Sequence, residues 1–227
     1  MGPLSNIKVL DLTRVLAGPY ATMVLGDLGA EIIKIEQPGS GDDSRAYGPY
    51  KNGESGYFMS INRNKMSLTL NLKTPEGKAI LEGLVKQVDV LVENFRPGTM
   101  DRLGLSYEEL RKLNPRLIYA ASTGYGQTGP YSQKPAYDGV VQALGGIMSI
   151  TGAEGGQPTR VGPSIGDIAA GLFTVIGILA ALHAREESGE GQMVDVAMLD
   201  CQVAILENAI SRYELTGQVP GPIGNRH

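Results

Sequence analysis

Ile7-Lys8-Val9-Leu10-Asp11-Leu12, an apolar-periodic segment from about Ala17 to Leu28, and Glu31-Ile32-Ile33-Lys34-Ile35-Glu36 follow one another, and their order decides the fold. The first and third are short β-rich runs of the buried type, and the second has helical periodicity. The alternation continues outward. After a polar, Gly-rich stretch from Pro38 to Gly56, Ser67 to Leu72 alternates as a strand does. Thr74-Pro75-Glu76-Gly77 then opens a helix with a cap and a first-turn proline, and the helix ends near Gln87. Val88 to Val92 is a further strand, Ser106-Tyr107-Glu108-Glu109 has the form of a capping box, and Leu117 to Ala121 is another strand. Beyond these stand a Gly-rich loop (Gly124 to Pro130), a helix from about Tyr137 to Met148, and a second loop (Gly152 to Gly166). An apolar helical run (Ile168 to Ala184), a strand (Met193 to Ala197) and a helix from about Leu199 to Leu215 complete the pattern. Such alternation predicts the α/β class: an open, doubly wound parallel sheet with helices on both faces, and ligands at the carboxyl ends of the strands.

With 227 residues the chain can bury one sizeable core. A formal net charge of -4, with both signs interspersed, gives no basic stripe and argues against nucleic acid as the main partner. The single Cys201 cannot form an internal disulfide, and no signal-peptide pattern follows Met1, so a reducing compartment, most simply the cytoplasm, is expected. Ile168 to Ala184 is short for the roughly 20 residues of a spanning helix. It also contains Gly171, Thr174, Gly177 and His183, so a buried core helix is expected and no membrane segment.

Gly124-Tyr125-Gly126-Gln127-Thr128-Gly129 matches the dinucleotide fingerprint and follows a strand. Its context fails, because Pro130 follows the third glycine where a helix should open, and Pro135 interrupts again. A tight substrate-side loop around Gly126 is the better reading. His183 is expected near a helix end and His227 at the chain end, and no His, Asp, Glu and Cys stand at ligand spacing, so no metal site is expected. Gly166-Asp167 immediately precedes the apolar run. That places the Asp167 carboxylate at a helix cap, where backbone donors and the helix dipole hold it ionised; position alone makes it a plain cap. Asn94-Phe95-Arg96-Pro97-Gly98 leaves a buried strand with an amide, an aromatic ring and a cation, a set suited to an adenine nucleotide with phosphates; a strand-to-helix turn with a half-buried Phe accounts for it about as well. Arg102 adds a cation a few residues on.

In order, these segments resemble the family III coenzyme A transferases, whose relatives include the α-methylacyl-coenzyme A racemases. The resemblance runs through Val9 to Pro19, Leu28 to Glu36, Asn62-Arg63-Asn64-Lys65, Val92 to Gly98, Thr123 to Pro130, and Gly189-Glu190-Gly191-Gln192 with Val194-Asp195-Val196-Ala197-Met198. It covers the whole chain but only about the first half of a typical member. It implies a Rossmann-like large domain, incomplete here, over residues 1–215, with 216–227 starting a linker toward a smaller domain. The full-length protein is then expected as a homodimer of interlocked subunits. Asp167 is implied as the nucleophile, with coenzyme A held by Val15, Leu16, Leu70, Asn94, Phe95, Arg102, Leu103 and Met198. Gly166 and the neighbouring backbone donors are implied around the reacting carbonyl. No permanently bound cofactor is implied, coenzyme A thioesters being substrates.

Two departures refine the reading. Leu16 and Gln37 replace a glutamine and an arginine found in some members, which points away from formyl-coenzyme A and oxalate. Pro135-Ala136-Tyr137-Asp138 has a tyrosine where the racemases carry a histidine, and a tyrosine of ordinary pKa near 10 is a poor proton carrier at neutral pH, which favours transfer over racemisation. Tyr137 is instead expected to position substrate or to pack at the mouth of the site. Arg14, Arg45 and Lys134 are candidates to pair with a second carboxylate, and the chain most resembles members that use succinyl-coenzyme A and another dicarboxylate, which the resemblance implies as its substrates. A non-catalytic acyl-coenzyme A-binding fragment is the alternative outside enzymology.

Overall fold

The computed structural model describes residues 2–226, so His227 lies outside the described residues. In chain order the elements are β1 (Lys8–Asp11), α1 (Ala17–Asp27), β2 (Glu31–Glu36), a 3-10 turn (Asp43–Ala46), β3 (Tyr50–Lys51), β4 (Glu54–Ser55), α2 (Gly56–Ile61), β5 (Lys65–Thr69), α3 (Pro75–Val85), β6 (Val90–Glu93) and α4 (Thr99–Leu103). They continue with α5 (Tyr107–Leu113), β7 (Ile118–Thr123), α6 (Asp138–Leu144), α7 (Ile147–Ile150), α8 (Ile165–Ser188), β8 (Met193–Ala197), α9 (Met198–Ala204) and α10 (Ala209–Thr216).

Six strands form one parallel sheet in the order β5-β2-β1-β6-β7-β8, and β3 pairs with β4 in a small hairpin. Counting sheet strands alone, this is the doubly wound order 3-2-1-4-5-6, which reverses between β1 and β6 and opens a crevice there. The central strands β6 and β7 are buried along their whole length, as strands covered on both faces must be. Successive side chains feed opposite cores. Val9, Val90 and Ile118 point to one side, against Ala21 and Leu25 of α1 and Val175, Ile178 and Leu182 of α8. Leu10, Leu91 and Tyr119 point to the other, against Leu81 and Val85 of α3 and Leu110 of α5.

The predicted caps are present: Thr74 accepts from the Gly77 N–H at 3.1 Å and Ser106 from the Glu109 N–H at 3.3 Å. Several boundaries differ. The expected strand at Ser67 to Leu72 runs from Lys65 to Thr69, in register with Ile32–Glu36. The expected helix from Tyr137 to Met148 is broken into α6 and α7 by Gly145 and Gly146, the latter at φ 90°. The last helix is likewise two, α9 and α10. The apolar run lies in α8, a helix long and apolar enough by length and composition to cross a membrane. Here its buried face packs on the sheet and α1, and at Gly171 an added Cβ would stand 2.9 Å from the Ala17 carbonyl oxygen. Its other face leaves Leu172, Phe173, Ile176 and Leu179 exposed, so the helix is a core helix on one side only.

Candidate active site

The crevice is framed by the loop after β1 and the loop after β6. From Thr13 to Val15 the backbone follows no regular structure, and side chains from other elements satisfy it. Asp11 Oδ1 accepts from the Thr13 N–H at 2.9 Å, Lys34 Nζ donates to the Thr13 carbonyl at 2.7 Å, and Asp42 Oδ1 accepts from the Val15 N–H at 3.1 Å. Asn94, just past β6, closes its carboxamide on the backbone of Arg14. Held this way, Val15 sits at φ 67°, a conformation that a β-branched residue adopts only under constraint, at a cost of about 1–3 kcal/mol.

The side chains doing the holding are charged and buried. Lys34 pairs with Asp42 at 2.8 Å, and Lys65 with Asp11 at 3.0 Å. Burial pushes the Asp11 carboxyl up, but the Lys65 and Lys34 charges and the Thr13 and Thr22 hydroxyls outweigh it and hold it below the usual carboxylate range. Asp42 behaves likewise beside Lys34. In the sequence, Lys34 and Lys65 entered only as parts of longer motifs; for Lys34 a lysine inside a strand otherwise buried was the available signal, and Lys65, which opens the mostly exposed β5, had none.

Asp167 differs from its expected setting. Helix α8 opens at Ile165 behind Ser164, so Asp167 lies in the first turn rather than at the cap. Its carboxyl is not held ionised: burial, and then the charge of Asp138, push it up to about 7, opposed by the backbone N–H of Ala17 at the start of α1. The Gly166 N–H, expected beside the reacting carbonyl, donates to Asp138 Oδ1 at 2.8 Å and is occupied. Gly166 is needed for close approach, since an added Cβ would stand 2.6 Å from Val141 Cγ2 and 3.0 Å from Asp138 Oδ1. Asp138 also accepts from Gln142 Nε2 at 2.8 Å and Arg160 Nη1 at 3.3 Å. The Tyr57 phenol is pushed up to about 12 by burial and then by Asp167.

Two cavities of about 430 Å³ each meet across Arg14 and Phe95, whose guanidinium and ring lie 5.9 Å apart. Leu70 and Leu103 line the first, together with Gln37, Asn71 and Lys73. Val15, Leu16, Asn94, Met198, Tyr137 and Asp167 line the second, with Lys134 and Asp138. Four predicted residues line neither cavity, Gly166 among them. Arg102 is exposed and donates to Thr99 Oγ1 at 3.0 Å. Gly126 lies against Asp195, which also accepts from the Gln127 N–H at 2.9 Å. Arg45 is spoken for: its Nε and Nη2 donate to the Glu36 carboxylate at 2.7 Å and its guanidinium lies 3.7 Å from the Phe58 ring centre. Arg14 pairs with Asp43 at 3.2 Å. Lys134 lies over the Tyr131 ring and, among the described residues, meets no carboxylate at ion-pair distance.

No helix opens on Gly129; turns lead to α6 at Asp138, so the dinucleotide-like sequence forms a loop. His183 is exposed, 16 residues along α8 from Asp167 or about 24 Å at the helical rise, too far to share its chemistry. No group of three or more potential metal ligands is present among the described residues.

The family model described as CoA-transferase family III matches residues 4–227. The chain is 54% identical over 227 residues to the acetyl-CoA:oxalate CoA-transferase of Acetobacter aceti, covering all of this chain and 58% of that protein. It is 50% identical over 219 residues to the succinyl-CoA:glutarate CoA-transferase of Mus musculus, covering 96% of this chain and 50% of that protein. The crystal structure of a CaiB/BaiF family protein from Brucella suis superposes with a TM-score of 0.95 at 42% identity, covering 100% of this chain and 61% of the other. The chain thus spans roughly half to three-fifths of the proteins it matches.

Proposed function

The chain belongs to CoA-transferase family III, and from its site we propose that it carries the coenzyme A-binding and nucleophile-bearing part of an enzyme moving coenzyme A between an acyl thioester and a free carboxylic acid. The observation that carries the reading is that Asp167 shares one cavity with Val15, Leu16, Asn94, Phe95 and Met198. On this reading, residues 1–215 form the large domain and 216–227 lead toward a smaller one, in a cytoplasmic enzyme that is an interlocked homodimer at full length.

The chemistry follows from a desolvated carboxylate. An ionised Asp167 oxygen attacks the thioester carbonyl carbon; the C–S bond breaks, and coenzyme A thiolate leaves a mixed anhydride. The thiolate returns to the aspartyl carbonyl, expelling the donor acid as its carboxylate and leaving an aspartyl-coenzyme A thioester. An acceptor carboxylate then attacks that thioester carbonyl, releasing thiolate and a second anhydride. Thiolate attack on the acceptor's carbonyl yields the new thioester and frees Asp167. The burial that raises the Asp167 pKa also strips water from its ionised form, which sharpens the nucleophile and protects the anhydrides from hydrolysis.

The acid is a dicarboxylate on this reading, because Lys134 is a cation lining the Asp167 cavity without an acidic partner among the described residues. The names of the relatives support that class, and oxalate belongs among the candidates despite Leu16 and Gln37. The test supplies acyl-coenzyme A donors and dicarboxylates to the chain, alone and joined to the carboxy-terminal portion of a relative, follows exchange by mass spectrometry, and traps intermediates with hydroxylamine or borohydride. Modification at Asp167, absent in Asp167→Ala, is expected. Racemisation of an α-methylacyl thioester without exchange overturns the reading, and coenzyme A binding without turnover in either form reduces the chain to a binding module.

A further inference from the structure

Lys34 and Asp42 are 1% and 4% exposed, and neither lines the cavity that holds Asp167. Their polar contacts nevertheless converge on the segment that leads there: Lys34 donates to the Thr13 carbonyl, Asp42 accepts from the Val15 N–H, and the two form an ion pair with each other. Two residues beyond Val15 stands Ala17, the first residue of α1, preceded by Leu16, which caps the helix with no side-chain bond. Ala17 packs with Ala169 and Ala170 of α8 and lines the same cavity as Asp167, and its N–H is the backbone donor that favours the charged carboxylate. A strained Val15 held from two sides therefore stands between the buried ion pair and the nucleophile's donor.

We infer that Asp42 and Lys34 are positioning residues for Asp167, fixing Val15 at positive φ so that the Ala17 N–H is presented to the Asp167 carboxylate. The strain gives the arrangement its direction. Val15 released from Asp42 relaxes toward the negative φ that a β-branched residue prefers, and that rotation carries Leu16 and Ala17 away from α8. A constraint of this kind belongs where backbone geometry must be specified more closely than helix packing alone specifies it. The inference rests on Asp167 being the nucleophile only for its catalytic meaning; the geometric claim is read without turnover.

The test is carbon-detected NMR titration of the Asp167 carboxyl in the 227-residue chain, with the Ala17 amide followed in the same samples and Asp138 and Tyr57 recorded as neighbouring titrating groups. In the wild type the Ala17 amide shift is expected to move with the Asp167 midpoint. Asp42→Ala is expected to raise that midpoint by about half a unit or more, a threefold change in proton affinity. Asp42→Asn, which keeps an acceptor for Val15, recovers most of it, and the shift shrinks in a Val15→Gly background, where no strain is left to release. An unmoved midpoint in a folded Asp42→Ala chain overturns the inference. If that variant does not fold, a wild-type Ala17 amide indifferent to the Asp167 midpoint overturns it instead. Failure of hydroxylamine trapping at Asp167 sinks the nucleophile assignment alone and leaves the geometric result standing.

Discussion

Asn94 spends both halves of its carboxamide on one residue, Oδ1 accepting from the Arg14 N–H at 2.9 Å and Nδ2 donating to the Arg14 carbonyl at 2.8 Å. The pair staples the loop after β1 to the loop after β6 across the point where strand order reverses. Asn94→Ala leaves two exposed backbone groups of Arg14 to water, so a loss of about 0.5–1.5 kcal/mol is expected in urea unfolding. Because Arg14 and Phe95 border both cavities, calorimetry should show weakened coenzyme A binding as well. Asn94→Asp keeps the acceptor, sets a carboxylate oxygen against the Arg14 carbonyl, and should fall between the two.

Asp167 predicts a conflict between stability and chemistry. Its carboxyl is pushed up to about 7 by burial and then by Asp138, so ionising it in the folded chain costs free energy that the unfolded chain does not spend. Asp167→Asn removes the ionisation. The variant should be more stable than the wild type at pH 8 by roughly 2 to 4 kcal/mol, with the gain vanishing near pH 4, while the trapped intermediate disappears. Denaturant midpoints at the two pH values check the first half and mass spectrometry the second.

Much of this architecture was legible because parallel-sheet strands are short, apolar and separated by capped helices. The residues of β2 and β8 were read with their observed bounds, and Thr74 and Ser106 cap the helices predicted for them. Periodicity could not see the break at Gly145 and Gly146, where apolar residues continue on both sides while the backbone turns. The start of α8 was placed late because Ile165 and Gly166 lack the apolar spacing that marks Ile168 onward. The cations were hardest. Arg14, Arg45 and Lys134 look alike in sequence, and only the fold shows that Glu36 and Asp43 neutralise the first two. Nor does sequence show that a valine, not a glycine, takes the positive φ in the first strand-to-helix loop, because three side chains distant in sequence, Lys34, Asp42 and Asn94, join Asp11 in holding it there.

The two basic residues with different surroundings should respond differently. Arg45→Lys cannot reproduce two bonds to Glu36 or the stacking on Phe58, and is expected to cost about 1–2 kcal/mol of stability without altering preference among acceptor acids. Lys134→Ala should alter stability by less than about 0.5 kcal/mol, because the side chain is exposed. In an active preparation it should raise KM about tenfold for dicarboxylates and leave monocarboxylates unaffected. Equal effects on both acid classes would remove Lys134 from the acceptor site.

Glu93 gives the pH dependence a second source. It ends β6 with its carboxylate buried, Oε2 accepting from the Phe95 N–H at 2.7 Å and Oε1 from the Tyr119 hydroxyl at 3.4 Å. Burial pushes it up to about 7 although both donors favour the charged form. The unfolded chain gives up this proton near pH 4.3, so between about pH 4 and pH 7 the folded state binds more protons and stability falls as pH rises, then levels off. Asp167 contributes with the same sign. Asp11, Asp42 and Glu36, held low, contribute with the opposite sign only in acid, where their stabilisation is lost as pH falls. In an Asp167→Asn background, Glu93 should therefore account for a loss on the order of 3 kcal/mol between pH 4 and pH 8. Glu93→Gln, which keeps an acceptor for Phe95, should flatten it. A slope that survives in the double variant would mean that Glu93 titrates alike in folded and unfolded chains and that its burial is relieved by water.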